Sequence, residues 1–182
     1  MIFLDPDLDP VAALQERAAR SRSSARGFPR NQRIPSARTL ARFLRDVQSI
    51  LKLRGQVTIL LTTDDAIRRL NRQFRGKNKA TDVLSFPAVT PPDVSKARHG
   101  APGQEIAGDV AISVHRARKQ ATDQGHALAI ELKVLILHGL LHLAGYDHET
   151  DDGEMARREQ RLRAKLRLPQ GLIERSEKGL PA

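Results

Sequence analysis

The stretch from Ala127 to His148 constrains the fold more than any other part of the chain. Its first part, Ala127 to Leu143, is largely apolar and carries no Asp, Glu, Lys or Arg after Lys133. A helix that is apolar on all sides is normally buried on all sides, so we expect this one at the centre of the fold. Within it, His138 and His142 are four residues apart and project from one helix face, one turn above the other.

Gly145 and His148 extend this pattern beyond the helix. Gly145 lies three residues after His142 and can adopt the left-handed conformation that ends a helix, which turns His148 back toward the histidine face. The chain has no cysteine, so any metal ion must be bound by His, Asp or Glu. Three neutral imidazoles leave the fourth position of a tetrahedral zinc ion open, as in catalytic zinc sites. We therefore interpret His138, His142 and His148 as metal ligands rather than as packed core histidines.

The spacing of these histidines also occurs in zincin-type metallopeptidases. There, the residue after the first histidine is a glutamate that acts as the general base. This chain has Gly139 at that position. Without a carboxylate beside the first histidine, a peptidase lacks the group that deprotonates the attacking water and protonates the leaving amine. A metallopeptidase is therefore an alternative that Gly139 opposes.

The charge of the chain favours a polyanionic partner. The formal net charge is +10, and nine arginines and no acidic residue lie between Arg17 and Arg45. Clustered positive charge is typical of surfaces that bind nucleic-acid phosphates. Aromatic residues make up only 3% of the chain, so we expect backbone contacts rather than many stacked bases to supply most of the affinity.

The remaining patterns predict one α+β domain with terminal extensions. Residues 1–34 are interpreted as a short strand at Ile2–Leu4, a possible helical piece near residues 11–19 and a basic mobile arm, and residues 169–182 as a frayed tail. Residues 35–168 form the ordered domain. Strands are predicted at 57–61, 83–86 and 109–114, an exposed loop at 90–103, and helices from Ser36 to Gly55, from Thr63 to about Phe74, and at 116–124, 127–143 and 152–166.

The sequence also predicts the cellular compartment of the protein. No apolar run approaches the ~18 residues that span a bilayer, and the first ten residues lack the basic and apolar parts of a secretion signal. We therefore expect a cytoplasmic protein that does not bind membranes.

Three segments, taken in order, resemble the YbeY family of bacterial endoribonucleases. They are Leu70–Arg75 running into Thr81–Pro87, then Gly108–Val110, then His138–His148, and the resemblance covers roughly residues 35–168. In the last segment, the glycine after the first histidine and the Tyr-Asp pair before the third occur together in that family. The resemblance implies a single zincin-like α+β domain, in which a small mixed sheet is packed with helices and the metal site lies on a central C-terminal helix.

The same resemblance implies a reaction and its residues. It assigns His138, His142 and His148 as ligands of one Zn²⁺ ion per chain, and Arg75 as the basic residue required for cleavage. The implied substrate is single-stranded RNA, within ribosomal RNA or ribosomal subunits, during small-subunit rRNA maturation and ribosome quality control. Arg75 also has a physical rationale, because a guanidinium at the mouth of a metal cleft can bind a phosphodiester through two parallel hydrogen bonds and offset charge in the transition state.

Other assignments rest on the residue types alone. Asp82 and Asp109 are candidates to orient a ligand histidine, or else turn and strand-end residues. A channel wall that follows a single RNA strand is assigned to Lys77, Lys79, Arg38, Arg42 and Arg45. The attacking group stays open between a metal-activated water and the RNA 2′-hydroxyl with the metal polarising the phosphate. A non-catalytic ribosome assembly factor with a structural metal is the second alternative.

Overall fold

The computed structural model describes residues 1–5, 8, 29–88, 105–148 and 150–169. The described α-helices and β-strands are, in chain order, β1 (Ile2–Leu4), α1 (Ala37–Leu51), β2 (Gln56–Thr62), α2 (Asp64–Arg75), β3 (Val83–Pro87), β4 (Ile106–Ser113), α3 (Val114–Asp123), α4 (Leu128–Leu143) and α5 (Glu154–Leu166). The predicted α+β class and the predicted strand at residues 2–4 are thus confirmed. The possible helical piece at 11–19, most of the basic arm and the loop at 90–103 lie outside the described residues.

The four described strands form one mixed sheet in the order β1-β2-β4-β3. β1 runs parallel to β2, and β2 runs parallel to β4, whereas β3 pairs antiparallel with β4. α1 lies in the connection from β1 to β2, as expected for a crossover between parallel strands. Because β3 is last in this order, it is an edge strand of the sheet.

The two faces of the sheet pack against different helices, because successive side chains of a strand point to opposite sides. One face packs in the larger core with α1, α4 and α5, through residues that include Val57, Ile59, Leu61, Val110 and Ile112. The other face forms a smaller cluster with Ile67 and Leu70 of α2, through Leu60, Leu84, Phe86 and Ala111. Twelve of the sixteen residues of α4 are buried, which confirms the predicted central helix.

The first residue of α1 agrees with the sequence prediction, whereas its last residue does not. Ser36 Oγ accepts a hydrogen bond from the Thr39 N–H at 3.3 Å, so it caps α1 as predicted. The predicted end at Gly55 is wrong, because α1 stops at Leu51 and Lys52 adopts the left-handed conformation with φ of 54°. Gly55 instead lies where β2 begins, close to the backbone of Glu105.

No single helix among residues 1–5, 8, 29–88, 105–148 and 150–169 is long and apolar enough to cross a bilayer, although α3 and α4 together, bent by 115°, meet the length and composition criteria.

Gly139 sets the distance between α4 and the sheet. A Cβ atom at this position would lie 2.7 Å from Val110 Cγ1 and 3.2 Å from Ser85 Oγ, and the first of these is closer than two carbon atoms can pack. Ser85 Oγ also donates a hydrogen bond to the Gly139 carbonyl oxygen at 3.2 Å. The backbone of α4 therefore rests directly on β3 and β4.

We expect Gly139→Ala to lower the free energy of unfolding by about 1–3 kcal/mol, the usual cost of overpacking, although alanine favours a helix over glycine by about 1 kcal/mol. In a Val110→Ala background the same substitution should be neutral or stabilising, because the opposing methyl groups are gone. Urea unfolding of the four proteins of this double-mutant cycle measures both effects. Equal stability of wild type and Gly139→Ala would contradict the close contact.

Candidate functional site

The three histidines predicted to bind a metal lie together. The imidazole centroids are 4.9 Å apart for His138 and His142, 5.4 Å for His138 and His148, and 5.3 Å for His142 and His148. One ring nitrogen from each residue lies within 4.8 Å of the others, so the group could bind one metal ion. His138 is buried, His142 is half-buried and His148 is exposed, so the cluster opens to solvent on the side of His148.

Gly145 returns the chain to this cluster, as the sequence predicted. It has a φ of +90°, in the left-handed region that favours glycine. The Tyr146 N–H donates to the Leu141 carbonyl at 3.1 Å, and the Gly145 N–H donates to the His142 carbonyl at 3.0 Å. This pair of bonds defines a Schellman motif, which ends α4 and turns His148 toward the histidines of the last helical turns.

The donor set fits a divalent transition metal. The Nε2 atoms of His138 and His142 are 3.2 Å apart. Two ligand nitrogens on a tetrahedral zinc ion lie about 3.3 Å apart, given zinc–nitrogen distances of 2.0–2.1 Å. Burial, together with the neighbouring His138 and His148, lowers the pKa of His142 to about 4. His142 is therefore neutral at neutral pH, which is the form that offers a lone pair to a metal.

Glu159 of α5 is the acidic partner of the cluster, and our sequence analysis missed it. Its side chain bonds His138 Nδ1 at 3.0 Å through Oε2, and it receives a hydrogen bond from Arg163 Nε at 2.7 Å on Oε1. Burial alone would raise the pKa of Glu159, but the hydrogen bonds and charges of His138 and Arg163 outweigh it and lower this pKa to about 2. An ionised Glu159 accepts the Nδ1 proton of His138, which leaves a lone pair on His138 Nε2, the atom that faces His142.

A sequence signal for Glu159 does exist. Met155, Glu159 and Leu162 share one face of α5, and all three are buried. An acidic residue on the apolar face of an amphipathic helix is unusual and needs a buried partner. The pattern identifies such a residue but does not identify His138 as the partner.

Glu159, rather than Asp82 or Asp109, is the carboxylate that bonds His138 of the cluster. Asp82 accepts hydrogen bonds from the Val83 N–H at 2.9 Å and from Gln120 Nε2 at 2.9 Å, so it fixes the start of β3 to α3. Asp109 is exposed and pairs with Phe86 across the sheet. Because its neighbour Val110 faces α4, Asp109 must point to the opposite face of the sheet.

Arg75 is the last residue of α2, and it is exposed. α2 and α4 lie on opposite faces of the sheet but finish at the same end of β3. Phe74 packs on Phe86 with ring centroids 5.1 Å apart. Leu143, the last residue of α4, lies against Gly108, which pairs with Pro87. The structure therefore brings Arg75 and the end of the histidine-bearing helix to adjacent residues of one edge strand.

The remaining predicted RNA-binding residues form two exposed groups. Lys77 and Lys79 lie in the loop after α2, where Asn71 Nδ2 donates to the Lys79 carbonyl at 2.6 Å. The second group, on one face of α1 at helical spacing, comprises Arg38, Arg42 and Arg45. α1 packs against α4 and β1, so this second group is not at the β3 edge.

Fold and site together define an α+β protein whose central helix presents a three-histidine candidate metal centre. The sequence model described as Endoribonuclease YbeY matches residues 29–167. Curated relatives named Endoribonuclease YbeY include one from Koribacter versatilis, 49% identical over 143 residues, covering 79% of this chain and 86% of the relative. Another, from Solibacter usitatus, is 49% identical over 136 residues, covering 75% of this chain and 83% of the relative.

A solved structure is also similar, the solution structure of TM1509 from Thermotoga maritima, at 27% identity and a TM-score of 0.47, covering 74% of this chain and 88% of that one. The chain belongs to the YbeY endoribonuclease family, on the match of the family model and the identity to these relatives. It is accordingly a nuclease that hydrolyses phosphodiester bonds in RNA. The resemblance stated from the three sequence segments is confirmed.

We expect Glu159→Gln to weaken metal binding about 10–100-fold, the usual effect of losing a carboxylate behind a ligand histidine. The neutral amide attracts the His138 proton less strongly than the carboxylate does, and it leaves Arg163 without its carboxylate. Competition with a chelating dye measures the affinity, and circular dichroism checks that the variant is folded. The matched control is Glu154→Gln, an exposed residue of the same helix. Unchanged affinity in folded Glu159→Gln would contradict the role of Glu159.

Proposed function

We propose that this protein is a zinc-dependent endoribonuclease specific for single strands, which matures small-subunit ribosomal RNA in the cytoplasm and takes part in ribosome quality control. The observation that carries the proposal is the convergence of three histidines, with His138 backed by the buried Glu159, in a member of the YbeY family. The net charge of +10 supports an RNA partner.

His138, His142 and His148 are proposed as the ligands of the zinc ion. Nitrogen ligands also suit nickel, copper and cobalt, so the choice of zinc rests on the three-histidine set with an open fourth position. When bound, zinc would supply Lewis-acid chemistry, by lowering the pKa of a water molecule or by polarising a phosphoryl oxygen. Glu159 would keep His138 in the tautomer that binds metal, and Arg163 would keep Glu159 ionised.

Arg75 is proposed as the catalytic residue that contacts the phosphodiester. Its position at the end of α2, beside the strand end where α4 also finishes, supports this role. A guanidinium can donate two parallel hydrogen bonds to the phosphate and offset the charge that develops in the transition state. Lys77 and Lys79, in the loop that follows, would bind the neighbouring phosphates.

Gly139 argues against a metallopeptidase. In that class, the residue after the first histidine carries the general base. Here the corresponding position packs against Val110 and Ser85 of the sheet, where even a methyl group has no room. A glutamate at position 139 could not be accommodated without moving α4.

Metal content and RNA cleavage together test the proposed function. We expect about one zinc ion per chain in wild type and in Arg75→Ala, less in His142→Ala, and cleavage of labelled single-stranded RNA by wild type only. Matched controls are Arg69→Ala, an exposed arginine of the same helix, and His115→Ala, an exposed histidine of α3. Metal without cleavage in wild type would overturn the nuclease mechanism and favour an assembly factor whose metal is structural.

The products separate the two routes of attack. Attack by the RNA 2′-hydroxyl leaves a 2′,3′-cyclic phosphate, and a 2′-deoxy nucleotide at the cleaved position prevents it. Attack by water tolerates the 2′-deoxy nucleotide. Cleavage of strands that carry one 2′-deoxy nucleotide, with analysis of the new ends, therefore identifies the nucleophile.

The arginine face of α1 should contribute to RNA affinity through phosphate contacts. Each lost phosphate contact should reduce the slope of log affinity against log salt concentration by about 0.7 for a single strand. We expect this change for Arg42→Ala, measured by fluorescence anisotropy in a His142→Ala background that does not cleave. The control is Lys165→Ala, an exposed cation of α5. If the salt dependence of RNA affinity is the same for Arg42→Ala and wild type, Arg42 makes no phosphate contact and α1 does not bind the RNA.

A further inference from the structure

Phe74, near the end of α2, exposes a large aromatic surface. It is 59% exposed, whereas Phe43 is buried and Phe86 is half-buried. Its ring meets the ring of Phe86 edge-on, with centroids 5.1 Å apart and an interplanar angle of 64°. Phe86 therefore supports the ring from one side and leaves much of its surface open.

The segment of chain that carries Phe74 has only positive charge, and one acidic residue, the exposed Asp109, lies on the same face of the sheet opposite Phe86. Between Ala66 and Thr81 there is no acidic residue, and the cations are Arg68, Arg69, Arg72, Arg75, Lys77 and Lys79. Phe74 directly precedes Arg75, and the lysine loop follows within a few residues. An exposed aromatic ring among cations complements a nucleotide, which presents a flat base beside a phosphate.

The surroundings of Phe74 are ordered before any ligand arrives. Asn71, one turn earlier on α2, is buried and donates to the carbonyl oxygen of Lys79 at 2.6 Å. The Lys77 N–H donates to the Asn71 carbonyl at 3.3 Å. These bonds fix the loop against the end of α2, so little conformational entropy is lost when a ligand binds there.

We propose that Phe74 is a stacking platform for one base of the single-stranded RNA substrate. This inference rests on the proposed function and adds a binding subsite to it. The strand would stack one base on Phe74 and pass its phosphates over Arg75 and the lysine loop, around the edge formed by β3, toward the histidine cluster. Every base has a π-face, so the subsite does not select a sequence. Bases in a duplex are already stacked and paired, so the subsite favours single strands.

Kinetics with an abasic scan of the substrate test this subsite. We expect Phe74→Ala to raise KM for single-stranded RNA about tenfold, within the range for loss of one base–aromatic stack, with a smaller effect on kcat. Phe74→Tyr should retain the wild-type KM. The control is Phe3→Ala, because Phe3 is 48% exposed but lies on β1, at the opposite edge of the sheet.

The scan replaces one nucleotide at a time by an abasic residue. At one position, loss of the base should raise KM about tenfold for wild type and hardly at all for Phe74→Ala. If the effect of every abasic position is the same in both proteins, no base stacks on Phe74 and the inference is overturned. If wild type cleaves no RNA, the proposed nuclease function is overturned. A binding measurement that does not depend on cleavage then tests whether a base stacks on Phe74.

Tryptophan fluorescence gives that independent measurement. The chain contains no tryptophan, so Phe74→Trp places a single reporter on the platform and retains an aromatic ring. We expect its fluorescence to be quenched on rapid mixing with single-stranded RNA, and not with duplex RNA or an inorganic polyphosphate. Phe3→Trp is the matched control. Quenching that is absent, or equal in the two variants, overturns the platform, whereas quenching without cleavage supports it and points to a non-catalytic RNA-binding role.

Discussion

The contact of α4 with the sheet at Gly139 is the constraint on which the site depends. Because glycine lets the helix backbone rest on Val110 and Ser85, the sheet occupies one side of α4 at close range. The adjacent residue, His138, is rotated about 100° around the helix axis and so faces α5 rather than the sheet. There it meets Glu159. A side chain at position 139 would push α4 away from Val110 and Ser85 and so change the positions of both helical histidines relative to the sheet.

Glu159 and Arg163 show how a largely apolar core accommodates charge at this centre. A lone carboxylate at 1% exposure would be costly, but Arg163 on the next turn pairs with one oxygen while His138 uses the other. Arg163 in turn donates from Nη1 to the Pro169 carbonyl at 2.9 Å. Two buried charged residues, Arg163 and Glu159, thereby connect Pro169 to His138 of the candidate metal centre. Helix α5 contributes both to the site and to the core.

The sequence was most informative about features that depend on the geometry of a single segment. Uniform apolarity predicted the burial of α4, and the spacing of His138, His142 and Gly145 predicted the cluster, because both follow from helix geometry within one segment. It was least informative for contacts between distant segments. Glu159 is visible as an acid on an apolar helix face, yet its partner lies on another helix. The sequence left two roles open for Asp109, because strand alternation points it away from the histidines only once Val110 is known to face α4. The end of α1 was misplaced because Lys52 accepts a left-handed conformation that glycine usually provides.

The edge strand provides a physical basis for the proposed preference for single strands. β3 has helices ending beside it on both faces, the histidine-bearing α4 on one and the cationic end of α2 on the other. A ligand that contacts the ends of both helices must bend around this edge of the sheet. A flexible single strand can make that turn, whereas a duplex is too wide and too stiff to do so. The proposed preference for single strands would therefore come from the shape of this edge, the cations along it and one aromatic ring, in a chain with only 3% aromatic residues.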